Sequence, residues 1–224
     1  MIRDLKVLAV VAARGGSRRV PGKNLRKIGG RPLIAWTIEH GRASRLVDQL
    51  VVSTDDEEIM RAARDAGAEV PFKRPAALAT DDTPGIDPVL HALEQLPGFD
   101  IAVLLQPTSP LRAPEDIDAC IERCAATGVQ ACVSVAPMAK PLEWAYYVGA
   151  SGKMTPVADR PGAEAYVLNG AVYAARVPWL KESRTFLAPQ TVAYKMPRER
   201  SLDIDTEEDF ALLDATINRG RRGA

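Results

Sequence analysis

The sequence has no surplus of charge of either sign: Lys+Arg and Asp+Glu both count 29 in 224 residues. Nothing electrostatic therefore points to nucleic acid or a membrane surface as partner, and any positive charge that matters must be local. Long hydrophobic runs are missing too. No stretch approaches the length that spans a bilayer. The opening MIRDLKVLAVVAARGG has an apolar run of only six or seven residues before its glycines, too short for the core of a signal peptide. Cysteine is scarce: Cys120, Cys124 and Cys132 form no even framework, and the first two fall on the apolar face of a helical pattern. A reducing cytoplasm without disulfides is expected. Internal repeats and low-complexity segments are also absent. What remains is a chain with 46% hydrophobic residues, long enough for one full core and read as one domain, 1–224, with one insertion.

Residues 7–12, VLAVVA, are a continuous apolar run of the kind a strand buried on both faces of a parallel sheet requires. A helical pattern near 32–43, the strand LVVST at 50–54 and the amphipathic helix DEEIMRAARDAG closed by Gly67 follow. After a short strand and the loop RPAALATDDTP come a helix at about 84–96, the strand IAVLLQ at 101–106, a helix at 114–126 and the strand ACVSV at 131–135. This alternation predicts an α/β fold with its ligand site at the carboxyl ends of the strands. Beyond residue 136 the rhythm breaks, with prolines at 137, 141, 156 and 161, which predicts an inserted arm over approximately 136–195. Strands around AVYAA and TVAYKM and a last helix from Thr206 bring the chain back to the core, and Thr206 with Asp209 has the spacing of a helix-start box. His40 and His91 lie in helical patterns away from the motifs below, and structural roles are expected for both.

The first strand runs into ARGGSRRVPGKN, residues 13–24, with three glycines and the cations Arg14, Arg18, Arg19 and Lys23. Glycines let backbone N–H groups approach phosphate oxygens, and the cations offer charge-assisted hydrogen bonds. It is not a P-loop, because the spacing from Gly16 to Gly22 is one residue too long and Asn24 stands where Ser or Thr is needed. The dinucleotide fingerprint is absent as well. On composition alone two readings stay open, a polyanion site and a solvated basic turn.

ARGGSRRVPGKN resembles the signature of the acylneuraminate cytidylyltransferase family. VSTDDEEI at 52–59, RPAALATD at 74–81, LLQPTSPLR at 104–112, YVLNGAVY at 166–173 and SLDIDTEEDF at 201–210 resemble further blocks of that family in the same order. The resemblance implies a single Rossmann-like nucleotidyltransferase domain with a mixed, mostly parallel sheet and a small inserted dimerisation arm. It also implies transfer of CMP from CTP to the anomeric hydroxyl of a 2-keto acidic sugar, with Mg²⁺ as cofactor, pyrophosphate as product and a homodimer as the working unit. A uridylyl- or guanylyltransferase for neutral sugar phosphates should instead have a shorter Gly-rich loop and no LLQPTSPLR block. A non-catalytic binding protein of the same fold should have lost Lys23 or the Asp203 and Asp205 pair, and all three are present.

Carried over position by position, the resemblance places Arg14, Gly15, Gly16, Ser17 and Lys23 at the triphosphate, with Lys23 near the departing pyrophosphate, and Asn24 against the nucleotide. Arg74 and Thr80 fall where the family reads the cytosine edge. Asp203 and Asp205, two apart at the expected end of a strand, would share one side and hold Mg²⁺. The residues also allow Asp205 to cap the last helix while Asp203 pairs with Arg200. Gln106, Tyr166 and Asn169 match sugar contacts, and Phe186 matches an aromatic that lines the neighbouring subunit's sugar pocket. The sequence departs from the family where sialic acid members carry two basic residues for the sugar carboxylate. Glu143 stands in place of the expected lysine, with Lys140 as its substitute, and Arg160 is displaced by about one residue. The acceptor is therefore left open among a sialic acid, legionaminic or pseudaminic acid and a related octulosonate.

Overall fold

The computed structural model describes residues 2, 4–17, 19–157 and 164–222, with 219–222 as backbone alone. Its elements are β1 (Val7–Ala12), a small hairpin of β2 (Lys27–Ile28) and β3 (Arg31–Pro32), α1 (Leu33–Ala43), β4 (Gln49–Ser53), α2 (Glu57–Asp65), α3 (Asp87–Gln95), β5 (Ile101–Leu105) and α4 (Pro114–Cys124). They continue with β6 (Ala131–Pro137), a second hairpin of β7 (Tyr146–Val148) and β8 (Met154–Pro156), β9 (Tyr166–Arg176), α5 (Val177–Ser183), β10 (Val192–Lys195) and α6 (Glu207–Arg222).

Six strands form one sheet in the order β10-β6-β9-β5-β1-β4. Only β9 runs antiparallel to its neighbours, so the sheet is mixed and mostly parallel, as expected. Strand β1 explains why VLAVVA is apolar throughout: Val7, Ala9 and Val11 point to a core with α1, α2 and α4, while Leu8 and Val10 point to one with α3 and α5. Each of these valine and leucine side chains contributes about 1.5–3 kcal/mol when fully buried. Cys120, Cys124 and Cys132 are free and buried within this core, and burial pushes the Cys124 thiol up to about 12. His40 and His91 pack edge-on against Trp36 and Phe72. Among the described residues no helix is long and apolar enough to cross a membrane.

Three expectations are corrected. The short strand after α2 shrinks to a single bridge between Val51 and Glu69. The segment outside the sheet is narrower than 136–195: the chain leaves after Pro137 and returns at Tyr166, while β9 and β10 are main-sheet strands. Antiparallel β9 breaks the strand-helix alternation without leaving the sheet, so its sequence reads as an interruption. Residues 201–205 form no strand. Instead Ile204 plugs a third cluster with Val20, Ile28, Leu33, Phe210 and Leu213, and its N–H donates to the Thr108 carbonyl at 2.8 Å. This cluster binds the far half of the basic loop to α6.

Candidate active site

At the carboxyl ends of β1 and β5 a cleft of about 360 Å³ opens, where the alternating pattern placed it. Arg14, Ser17, Lys23, Asn24, Arg74, Thr80 and Gln106 all line it. Three separate stretches of chain, 12–24, 74–88 and 104–108, converge on this one hollow, which a merely solvated turn would not bring about, so the solvated reading of the basic loop is set aside.

The loop after β1 is fixed by its own backbone demands. The Gly15 N–H donates to Asp55 Oδ1 at 3.1 Å, and a Cβ at Gly15 would lie 2.6 Å from Asp56 Oδ2, so only glycine fits this approach. Asp56 is held there because its Oδ1 accepts the Glu58 and Ile59 N–H groups as N-cap of α2. Gly16, by contrast, faces open space and with Ser17 borders a side opening of the cleft. Asn24 is buried, and its Nδ2 donates to the Arg14 carbonyl at 3.0 Å, bracing the loop's two ends. Arg14 pairs with Asp81 at 2.5 Å across the cleft. Arg18 and Arg160 lie outside the described residues.

Lys23 Nζ donates to the Ile204 carbonyl at 2.7 Å and stands 3.4 Å from Asp205 Oδ1, with its side chain only 12% exposed. Arg19 holds the other oxygen of Asp205 at 2.7 Å. Asp205 thus ties the basic loop to the start of α6 and does not cap that helix. Thr206 does so, its Oγ1 accepting the Asp209 N–H while the Asp209 carboxylate accepts the Thr206 and Asp205 N–H groups in return, the reciprocal box the spacing predicted. Nor does Asp203 pair with Arg200, which clasps the buried carboxylate of Asp116 at 2.7 and 2.8 Å. Burial pushes the Asp203 carboxyl above the usual range, a Thr108 hydrogen bond opposes this, and the Asp205 charge adds to it.

Asp203 Oδ1 is buried without a hydrogen-bond partner among the described residues. A buried, unpartnered carboxylate oxygen next to a second carboxylate is a donor set that suits a hard cation. No group of three or more His, Cys, Asp or Glu side chains able to hold a metal is found among the described residues. Two carboxylates alone would therefore leave most positions to phosphate oxygens and water, the usual habit of Mg²⁺.

Arg74 is 4% exposed, its N–H bonded to the Thr54 carbonyl at 2.8 Å and its Nη2 3.5 Å from Asp55 Oδ1. Nε and Nη2 are buried without a hydrogen-bond partner among the described residues, and burial pulls the guanidinium below the usual arginine range against the pull of Asp55. Unpartnered donors at a cleft wall are costly unless a ligand completes them.

A second hollow of about 300 Å³ adjoins the first and shares Gly85, Leu104 and Gln106 with it. Gly170, with φ of 72°, sits so close that a Cβ there would lie 2.9 Å from Gln106 Oε1. It belongs to an irregularity in β9 where the register slips opposite Ser134, whose Oγ donates to Asn169 Oδ1 at 2.7 Å and accepts the Val172 N–H at 2.8 Å. The predicted Asn-Gly turn is therefore a bulge within a strand. Asn169 is buried, its Nδ2 engaged with Ser201 Oγ and Met196 Sδ, so in this structure it braces the bulge. Phe186 is buried against Tyr173 and lines the second hollow of its own chain. Tyr166 lines neither hollow and donates to Glu164 at 2.8 Å, and Lys140 is exposed and lines neither.

Sequence reasoning missed Asp55, which joins the Gly15 loop to Arg74, and Arg112, the largest fully buried side chain. Both fall inside the quoted blocks, but only tertiary contacts reveal what they hold.

A family model described as Cytidylyltransferase matches residues 8–214. The chain is 36% identical over 222 residues to CMP-N,N'-diacetyllegionaminic acid synthase of Legionella pneumophila, covering 94% of this chain and 95% of that protein. It is 30% identical over 228 residues to pseudaminic acid cytidylyltransferase of Campylobacter jejuni, covering 96% and 98%. The solved structure of a CMP:2-keto-3-deoxy-manno-octonic acid synthetase complexed with CTP superimposes with a TM-score of 0.76 at 19% identity, over 96% of this chain and 99% of that one, a likeness of fold.

Proposed function

This chain belongs to the cytidylyltransferase family and is a nucleotidyltransferase, and from that premise we propose that it transfers CMP from CTP to the anomeric hydroxyl of a nonulosonic acid. The observation that carries the reading is a basic cleft with unpartnered Arg74 donors at one end and, through Gln106, a second hollow of monosaccharide scale at the other. The two relatives named above are a synthase and a transferase for such acids, which favours legionaminic- or pseudaminic-type acceptors.

In this reading the triphosphate lies along the loop, with Arg14, Lys23 and the Gly15 and Gly16 backbone around it. Arg74 and Thr80 take the base. The acceptor oxygen attacks the α-phosphorus, the bond from that phosphorus to its bridging oxygen breaks, and pyrophosphate leaves with the electron pair. Lys23 faces the charge that develops on the leaving group, and positioning with charge neutralisation supplies most of the rate. The hydroxyl proton passes to a nearby carboxylate or to water. Asp203 and Asp205 would hold Mg²⁺, which when bound supplies charge neutralisation at the phosphates. For that, Arg19 must turn from Asp205 to the incoming phosphates, while Lys23 keeps its hydrogen bond to the Ile204 carbonyl.

Arg74→Ala is expected to lower kcat/KM for CTP about tenfold more than for UTP, since a site built to satisfy polar edges discriminates by the pairs it completes. An unchanged CTP-to-UTP ratio would place base reading elsewhere. Trp144, Tyr146, Tyr147, Val148 and Met154, all exposed around the β7–β8 hairpin, support a homodimer built through this arm. Sedimentation should give a dimer mass that Tyr147→Glu with Val148→Glu reduces to the monomer, and a monomeric wild-type chain would end this part of the reading. The three free buried cysteines fit a cytoplasmic setting.

A further inference from the structure

We propose that Arg184 receives the carboxylate of the acidic acceptor, a role that rests on the function proposed above and that neither Lys140 nor any other described residue is placed to fill. Arg184 is the only charged side chain among the described residues that line the second hollow. Around it the wall is neutral: Tyr173 and Phe186 form an apolar floor with ring centroids 5.7 Å apart, and Gln106 and Thr185 supply polar atoms. A hollow that shares Gln106 with the nucleotide cleft and offers one cation suits a sugar that carries one negative charge.

The backbone gives independent support. Arg184 ends α5 with φ of 49° and ψ of 36°, the left-handed conformation that glycine or asparagine ordinarily takes at a helix end. The loop behind it is pinned by Thr185 Oγ1, which accepts the Leu187 N–H at 3.0 Å, and by Thr191 Oγ1, which donates to the Phe186 carbonyl at 3.0 Å. Strain of this kind is kept where the side chain or its position is needed. The side chain is 62% exposed at the rim, and its Nη2 donates to Asp87 Oδ1 at 2.7 Å. That single bond orients the guanidinium, and a planar fork of five N–H donors has capacity left for a second carboxylate.

The test uses the purified full chain with saturating CTP and Mg²⁺, reading pyrophosphate release with N,N'-diacetyllegionaminate, N-acetylneuraminate and the carboxamide of each. Wild type should prefer acid to amide. Arg184→Gln, which keeps the same backbone demand, should raise KM for the acid about 10–100-fold, the size of a lost hydrogen bond to a charged group, while KM for CTP and for the amide stays put. Arg184→Lys should recover part of the preference. Asp87→Asn, which breaks the ion pair but keeps the cation, should retain all of it. An unchanged acid KM in Arg184→Gln, or an Asp87→Asn variant that reproduces the whole loss, would overturn the assignment and leave the proposed reaction standing. A wild-type chain that binds CTP yet turns over neither acid would sink the proposed function itself, and the role of Arg184 with it.

Discussion

Lys23→Ala is expected to lower kcat for pyrophosphate release about 10²–10³-fold, the loss seen when one preorganised donor to developing charge is removed. The lysine is held before any ligand arrives: its Nζ lies 2.7 Å from the Ile204 carbonyl, and the side chain is almost enclosed. Gly22, with φ of 65°, turns the chain so that Lys23 enters the cleft, and Asn24 clamps the loop behind it. Pre-positioning of this sort is what a reaction run by charge and alignment needs. The fold should survive, since the structural cost is one net hydrogen bond to Ile204, about 1 kcal/mol. Stopped-flow release of pyrophosphate with CTP held saturating measures the effect. A variant that keeps its kcat but raises KM for CTP would make Lys23 a ground-state anchor only.

The second large effect falls on stability. Arg112→Ala should destabilise the chain by about 3–5 kcal/mol, read as a lower urea midpoint, because its buried guanidinium joins three elements that meet behind the site. It donates to the Ala171 carbonyl beside the β9 bulge, to Thr37 Oγ1 of α1 at 2.6 Å and to the Gln106 carbonyl at 3.0 Å. Truncation would leave the Ala171 carbonyl without this donor, at about 1–3 kcal/mol before relaxation, and would take one of several partners from the Gln106 carbonyl, which keeps the Ser109 N–H at 3.3 Å. Burial pulls the Arg112 pKa down to about 9, still above neutral pH, so the group enters the folded chain as a cation. An unchanged midpoint would mean that the neighbours find other partners and that the bulge does not depend on this side chain.

These two residues show what could be read in the sequence and what could not. Arg14, Ser17, Lys23, Asn24 and Gln106 were legible because their motifs follow the ends of β1 and β5, whereas Arg74 and Thr80, which follow no strand, were placed by the resemblance alone. A parallel sheet delivers such ends to one edge whatever the details of packing. Gly15 was legible as a glycine, but its reason, the approach of Asp56, depends on a contact 41 residues away in sequence. Arg112 and Asn169 looked like members of motifs and proved to be braces, since burial and partner count are properties of the folded chain. The alternation of Asp203 and Asp205 suggested a strand. The demand of Ile204 for the cluster with Val20 and Phe210 won instead, and it keeps the segment out of the sheet. Arg184 carried no motif at all; its signal is a left-handed backbone that sequence alone does not display.

The central claim is that CMP moves from CTP to an acidic 2-keto sugar. Its most direct test is mass spectrometry and ³¹P NMR of the products formed by the purified chain from CTP, Mg²⁺ and a panel of nonulosonic acids, with UTP, GTP and ATP in parallel. A CMP-sugar and one equivalent of pyrophosphate are expected with CTP alone. Formation of a nucleoside diphosphate sugar from a sugar phosphate, or equal use of UTP, would contradict it.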